Sequence, residues 1–494
     1  MTSTTLLGHP RGLVILFFAE MWERFSFYGM RGLLVLYLTK HWLFSDGEAS
    51  GIYAGYASLV YLMPVIGGLV ADRYLGFKKA VVIGACLLCL GHLGMAFEGD
   101  AAGRIGAELV RDDTALQVFY LSLALIIVGV GLLKPSISSI VGELYGKNDP
   151  RRDGGFTIFY MGINVGAVLA ALTCGYVGEV CGWSYGFGLA GVGMLIGLLT
   201  FIGGAGWLEG KGETPSPSPD KMMQWIYLGI TSFVVLCWWL MQHQQIVGGL
   251  LSVASLLVIV GVLAFMFTSC SVEERKGMGL LLFLTAYSVI FWALFEQAGS
   301  SMNLFADRNV EKELLGLTVT ASQLQFFNPG FIVLLAPLFS MLWMWLGQRG
   351  MEPSSSVKFG LGVTQAGLGF FLLVYGIEQA NSNGQVAMLW LALAYLVHTS
   401  GELCISPVGL SMVTKLAVPK VVGLMMGVWF LASSVAHYVA GMIATLASVD
   451  EGTVGNAQAS LVVYQETFYL VGVIGVVAGL VLLALAPLIS RWVR

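Results

Sequence analysis

Stretches of 18 or more mostly apolar residues recur from one end of this chain to the other. No other feature narrows its possible folds so far. An α-helix rises 1.5 Å per residue, so about 20 such residues cross a hydrocarbon layer of ~30 Å. No water reaches backbone amides in that layer, and a helix satisfies them internally. Only 11% of the 494 residues are charged and 57% are hydrophobic, whereas a soluble domain carries about a quarter charged residues. The chain is therefore expected to be an all-α membrane protein that crosses the bilayer many times. Its net charge of −4, without any basic cluster, offers no surface for nucleic acid.

The pattern divides into fourteen expected transmembrane helices. Six occupy about 13–39, 52–74, 79–97, 116–142, 153–178 and 186–207. Two follow at about 222–242 and 247–268, and six more at about 277–299, 318–346, 357–377, 386–414, 420–447 and 463–490. The clear linker is 209–221 (EGKGETPSPSPDK), rich in Pro, Ser and charge. The expected domains are a six-helix bundle over 1–208, a linker with two extra helices over 209–275, and a second six-helix bundle over 276–494. The extra helices carry no charge in their interiors, so they are expected to pack beside the bundles and face lipid. Gly67–Lys79 and Pro337–Arg349 echo each other at matching places in the two halves. Repeated halves are a mark of alternating-access transporters.

Cationic connections tend to stay in the cytoplasm. With both termini cytoplasmic, seventeen Lys and Arg residues fall on cytoplasmic segments, Lys147 and Arg494 among them. Five fall outside: Lys40, Arg104, Arg111, Arg308 and Lys312. The first apolar run carries Glu20, Glu23 and Arg24, so it is expected to remain as a helix rather than serve as a cleavable signal. The seven cysteines lie mostly in apolar runs and are expected to be small core residues without metal or redox roles.

Four charges stand inside the first span. Glu20, Glu23, Arg24 and Arg31, with Tyr28, fall on one helical stripe. Lys134, Glu296 and Glu402 stand inside the spans at 116–142, 277–299 and 386–414. One such charge at the bilayer centre costs about 2.5–3.5 kcal/mol, so seven unpaired ones cost about 20 kcal/mol. That exceeds the ordinary stability of a fold, so the groups must pair or face water. Four carboxylates against three cations leave the set one proton short of neutral. A carboxylate takes up a proton when its cationic partner leaves, which is the physical core of a proton-coupled carrier. The proton gradient would supply the energy, with no cofactor, no metal and no enzyme chemistry. Lys134-Pro135, Asn328-Pro329 and Ser406-Pro407 are expected to break or bend helices beside a cavity. His92, His398 and His437 read as packing residues, His398 standing one turn before Glu402, and Asp72 with Arg73 as helix-end caps.

The run Glu20-x-x-Glu23-Arg24-Phe with Tyr28 and Arg31 resembles the first-helix motif of the proton-dependent oligopeptide transporters, a branch of the major facilitator superfamily. The resemblance continues in Gly67–Lys79, Gly131–Ser139, Phe159–Gly166, Phe291–Gln297, Phe327–Pro329, Gly401–Pro407 and Gly427–Phe430. It implies the major facilitator superfamily fold and proton-coupled symport of di- and tripeptides into a bacterial cell across its inner membrane, by a chain that works as a monomer. Carried over residue by residue, it implies that Arg24, Tyr28, Lys134 and Asn164 hold the peptide carboxylate. Asn328 and Glu402 would hold the amino terminus, and Tyr61, Trp292, Ser406 and Trp429 would line the pocket. Glu20, Glu23, Arg24 and Glu296 would couple the proton. Arg31 with Glu296 would close the outer gate, and Lys134 with Glu402 the inner one.

Phe27 departs from the pattern, since many members of the family carry a tyrosine there; one hydroxyl is missing from the site. The alternative cargo is nitrate or another small anion, which has no use for the second pole at Glu402. A proton-moving subunit of an energy-transducing enzyme is a further rival, disfavoured because the spans offer no paired histidines for haem.

Overall fold

The computed structural model describes residues 5–6, 8–106, 108–146, 149–213, 220–314, 316–450 and 455–493. Lys147, Arg494 and the stretch 214–219 of the expected linker lie outside the described residues. Among the described residues the chain is helical apart from short turns and three two-stranded antiparallel ribbons in its connections. Thirteen helices are long and apolar enough to cross a membrane. Helix α1 (Gly12–Lys40) is a fourteenth, 29 residues long. Every 18-residue stretch of α1 holds at least three charged residues, which sets it apart from the others.

The chain forms two compact units. The first comprises Met1–Phe44, Leu59–Gln244 and Ser322–Pro329. It contains α1, part of α2 (Asp46–Val70), α3 (Phe77–Met95), α4 (Asp113–Glu143), α5 (Arg152–Tyr176), α6 (Trp183–Gly204) and α7 (Asp220–Met241). Helix α1 packs against α5 and α6, and α3 against α4. Asp112 caps α4 by accepting from the Ala115 N–H at 3.0 Å. A Cβ on Gly67 would lie 2.1 Å from the Gly131 carbonyl oxygen, so α2 and α4 cross with their backbones touching. A π-helical turn, Ala71–Leu75, extends α2, and Gly76 at φ 75° turns the chain into α3. Met223, Ile226 and Ile230 of α7 cover the buried cluster of Ala71, Leu75, Ala80 and Leu132.

The second unit comprises Ser45–Ser58, Gln245–Ala321 and Gly330–Arg494. Its helices are α8 (Gln244–Ser269), α9 (Val272–Phe295), α10 (Ser301–Asn309), α11 (Phe327–Gln348) from Gly330 onward, α12 (Ser355–Glu378), α13 (Met388–Leu416), α14 (Val422–Leu446) and α15 (Ala457–Val493). Ser271 and Glu274 form a capping box that starts α9. Helices α12 and α15 cross at Gly367 and Gly475, where a Cβ on Gly475 would fall 2.7 Å from the Gly367 Cα. Gly248 of α8 backs onto the Tyr438 ring of α14. The described part of α2 that belongs here, Asp46–Ser58, is held by Ser434 Oγ donating to the Ser58 carbonyl at 2.8 Å.

Several sequence expectations need correction. The span expected at 277–299 does not end there: α9 passes through a 3₁₀ turn at Glu296–Gly299 and resumes as α10, so Arg308 lies in a helical last turn. Asn328-Pro329 does not break a helix; it sits in the first turn of α11, where a proline's missing N–H has no intrahelical partner to lose. Pro135 and Pro407 lie inside continuous helices. Cys86 and Cys181 are exposed rather than core residues, because they stand on helix faces turned away from their own unit.

Candidate functional site

The first unit holds a buried charge cluster. Glu20, Glu23 and Arg24 on α1 are 2%, 0% and 2% exposed. Arg24 makes a fork onto one carboxylate: Nη2 donates to Glu23 Oε1 at 2.5 Å and Nε donates to Glu23 Oε2. Glu20 Oε1 stands 3.6 Å from the same Nε. A planar guanidinium suits this geometry, since its parallel N–H bonds match the two oxygens of a carboxylate. Its face lies over Phe27, 4.9 Å from the ring centroid, and Phe27 itself is buried. The ring at the departing position therefore seats the arginine.

One oxygen of the cluster is left over. Glu20 Oε2 is buried without a hydrogen-bond partner among the described residues. Leaving a buried acceptor unmade costs about 1–3 kcal/mol, and more for a charged one. A proton there would remove the charge.

Lys134 reaches toward this cluster from α4. It is half-buried, with Nζ 4.9 Å from the Tyr61 ring centroid, and is within electrostatic reach of Glu20 and Glu23. Asn164, buried on α5, donates from Nδ2 to the Tyr160 carbonyl at 3.2 Å. Tyr28 is half-buried, and the Arg31 guanidinium lies 5.9 Å from its ring. Asn328 is half-buried and also belongs to this unit.

The second unit carries the remaining expected residues. Glu296 is 4% exposed at the start of the 3₁₀ turn between α9 and α10. Its neighbour Gln297 donates from Nε2 to the carbonyls of Ala293 (3.0 Å) and Ala440 (2.9 Å), tying the turn to α14. Glu402 is buried on α13, one turn before half-buried Ser406. Trp429 packs against Gly409, and Trp292 stands edge-on to Phe291 and Phe295. His398 is buried with Nε2 2.9 Å from the Ala366 carbonyl and its ring against Phe370, as a packing histidine should be. His92 is buried too.

Two features were missed by sequence reasoning. His437 is not only a packing residue: its Nε2 lies 3.5 Å from Glu296 Oε1. The polar stripe Ser433-Ser434-x-x-His437 on an otherwise apolar helix is the signal that marks it. Arg308 forms a fork to Asp46 at 2.6 and 2.7 Å and also reaches Tyr464 Oη at 3.2 Å. Asp46 and Arg308 are 262 positions apart, so no local pattern links them.

The chain is similar to known proteins along nearly its whole length. A family model described as the POT family matches residues 78–460. The chain is 38% identical to an uncharacterized transporter, YclF, of Bacillus subtilis (strain 168), covering 98% of this chain and 95% of the relative. It is 35% identical to dipeptide and tripeptide permease A of Proteus mirabilis (strain HI4320), over 99% of this chain and 97% of that one. Among solved structures it is similar to a variant of peptide transporter POT in complex with alafosfalin. That match has a TM-score of 0.84 and 34% identity, over 99% of this chain and 97% of that one.

Proposed function

We infer the transport cycle below from the premise that this chain belongs to the POT family. It is a transporter rather than an enzyme, a multi-pass protein of the bacterial inner membrane with the major facilitator superfamily fold. It carries di- and tripeptides into the cell together with protons by alternating access.

The assignment of residues to the cycle is our proposal. Arg24, Tyr28, Lys134 and Asn164 take the peptide carboxylate, and Asn328 and Glu402 the amino terminus. Tyr61, Trp292, Ser406 and Trp429 line the side-chain pocket. Glu20, Glu23, Arg24 and Glu296 couple the proton. Arg31 with Glu296 gates the outer side, and Lys134 with Glu402 the inner side. The moving bundles are 1–208 and 276–494, with 209–275 a linker and two extra transmembrane helices; both termini face the cytoplasm, and one chain suffices. The proton gradient is the sole energy source.

One observation carries this reading: the Arg24 fork on Glu23 beside the leftover oxygen of Glu20. A peptide carboxylate that takes the fork displaces Glu23. A displaced, buried Glu23 loses the cation it forks with; breaking a buried pair in that way costs about 3–5 kcal/mol, and binding a proton removes the charge left behind. Binding of peptide and of proton are thereby linked. Each inward proton adds about 2.3 kcal/mol per 100 mV of membrane potential.

The test is uptake of a labelled dipeptide into proteoliposomes with and without an imposed pH gradient. Accumulation above the external concentration is expected only with the gradient, inside alkaline. Equal uptake in both conditions removes the proton from the cycle.

A further inference from the structure

His437 has no part in the cycle described above, yet it is buried against one of the residues that does. We propose that His437 is a positioning residue for Glu296, and that the two hold a single proton between them and exchange it as Glu296 changes partners. The inference rests on the proton-coupled reading of Glu296.

The tautomer of His437 follows from its hydrogen bond. Nδ1 lies 2.7 Å from the Ser433 carbonyl oxygen, one turn back on α14. A carbonyl only accepts, so Nδ1 carries the hydrogen and donates it. In a neutral ring Nε2 is then a bare acceptor. That nitrogen faces Glu296 Oε1 at 3.5 Å. An ionised carboxylate is also only an acceptor. Two acceptors facing each other where both side chains are 4% exposed repel. One proton turns the contact into a hydrogen bond, as O–H···Nε2 or as Nε2–H···O. With one proton the pair is complete; with none it is not.

The contact does not hold itself together. Gln297 bonds to the Ala440 carbonyl on α14, and Ser301 Oγ donates to Gln297 Oε1 at 2.7 Å. These bonds pin the 3₁₀ turn to α14 within a turn of His437. A 3₁₀ interruption in a long helix is a place where a hinge is often built. Glu296 opens this turn, and His437 faces it from α14.

Other ionisable groups stand on the elements packed against α14, and His398 on α13 is engaged with the Ala366 carbonyl, 2.9 Å from its Nε2. Glu402 on α13 lies at a similar depth, because Gly409 seven residues below it meets Trp429 eight residues below His437. Glu273, Glu274, Arg275 and Lys276 sit in the first turn of α9, about 30 Å along the helix from Glu296. Lys415 and Lys420 stand at the same end as Trp429 or beyond it. Asp46 at the far end of α2 is engaged with Arg308.

The step balances with one proton. A proton arriving at Glu296 forms the O–H, whose hydrogen faces Nε2. Transfer breaks that O–H and forms Nε2–H, giving a carboxylate and an imidazolium that still donates from Nδ1 to Ser433. Glu296 is then anionic and able to pair with Arg31 while the proton stays nearby. Return of the proton to Oε1 neutralises the carboxyl and releases Arg31.

The experiment compares pH profiles of labelled-dipeptide uptake into proteoliposomes by the wild type, Glu296→Gln, His437→Gln, His437→Asn and a Glu296→Gln/His437→Gln double variant. Each single change is expected to shift the midpoint of the profile by one pH unit or more and to cut gradient-driven accumulation about tenfold. The double variant should be no worse than the worse single one. A profile for His437→Asn that superimposes on the wild type overturns the proposal, as do losses that multiply in the double variant. A second measurement needs no change at His437. In protein labelled with ¹⁵N-histidine, Glu296→Gln must move the titration of one histidine by a unit or more, and no movement overturns the proposal. If the wild type itself fails to accumulate dipeptide under a gradient, the proton-coupled reading has failed instead, so the two failures are told apart.

Discussion

At the scale of single residues, Glu23 stands at the centre because both oxygens of its carboxylate receive Arg24. Glu23→Gln keeps the shape, offers one acceptor instead of two, and cannot take a proton. It is expected to lower gradient-driven accumulation of dipeptide at least tenfold while exchange of labelled for unlabelled peptide stays measurable; undiminished accumulation would sink the coupling role. Phe27 makes a second case. Its ring is 2% exposed beneath the guanidinium, so a hydroxyl added there has little room to find a partner. Phe27→Tyr should therefore lower the thermal unfolding midpoint, at a cost of about 1–3 kcal/mol for a buried unsatisfied hydroxyl, and thermal unfolding in detergent measures it. The charges inside spans were legible in the sequence because each one breaks an apolar pattern that the bilayer enforces. The Phe27 seat and the His437–Glu296 contact were not, because both depend on where rings and carboxylates come to rest across turns or between distant helices.

At the scale of elements, the apolar runs marked the middles of the helices but not their ends. Helix α2 begins at Asp46, six residues before the expected span, because Ser45 and Glu48 satisfy each other's backbone N–H groups at 3.3 and 2.9 Å. The interruption at Glu296 was hidden because its turn, Glu296-Gln297-Ala298-Gly299, holds no proline to announce a break in the helix. Asp46, just inside the start of α2, is held twice within its unit: by the Arg308 fork and by the Val449 N–H, which donates to Asp46 Oδ2 at 2.9 Å. Both side chains of the ion pair are at least nine-tenths buried. Arg308→Ala leaves that carboxylate buried without its cation, which costs about 3–5 kcal/mol. Asp46→Asn combined with Arg308→Gln removes both charges and is expected to cost less than Arg308→Ala alone. Chemical unfolding of the three proteins checks the order, and equal losses would show the fork to be dispensable.

At the scale of the whole molecule, helix count and fold class were legible because length and apolarity alone fix how many times a chain must cross a bilayer. What the sequence hid was the allegiance of the extra helices: α7 covers the apolar cluster at the α2–α3 turn, whereas α8 backs onto Tyr438 of α14. Composition does not distinguish them, since both are apolar nearly all round. The cationic connections argue the orientation. Several of their cations are engaged by acids. Arg151 meets Asp149 at 2.7 Å, and this hydrogen bond holds the Asp149 carboxyl down at about 2. Lys78 meets Glu213 at 2.7 Å and Lys358 meets Glu352 at 2.6 Å. If net charge decided topology, these pairs would cancel much of the bias. Acidic residues contribute little to the rule, however, and Lys and Arg alone set orientation during insertion, before such pairs have formed. Alkaline phosphatase fused after Arg104 is therefore expected to be active, the same enzyme fused after Lys211 inactive, and a green fluorescent protein at the carboxyl end fluorescent. The opposite pattern would invert the molecule, and with it the direction in which Arg31 and Lys134 face their gates.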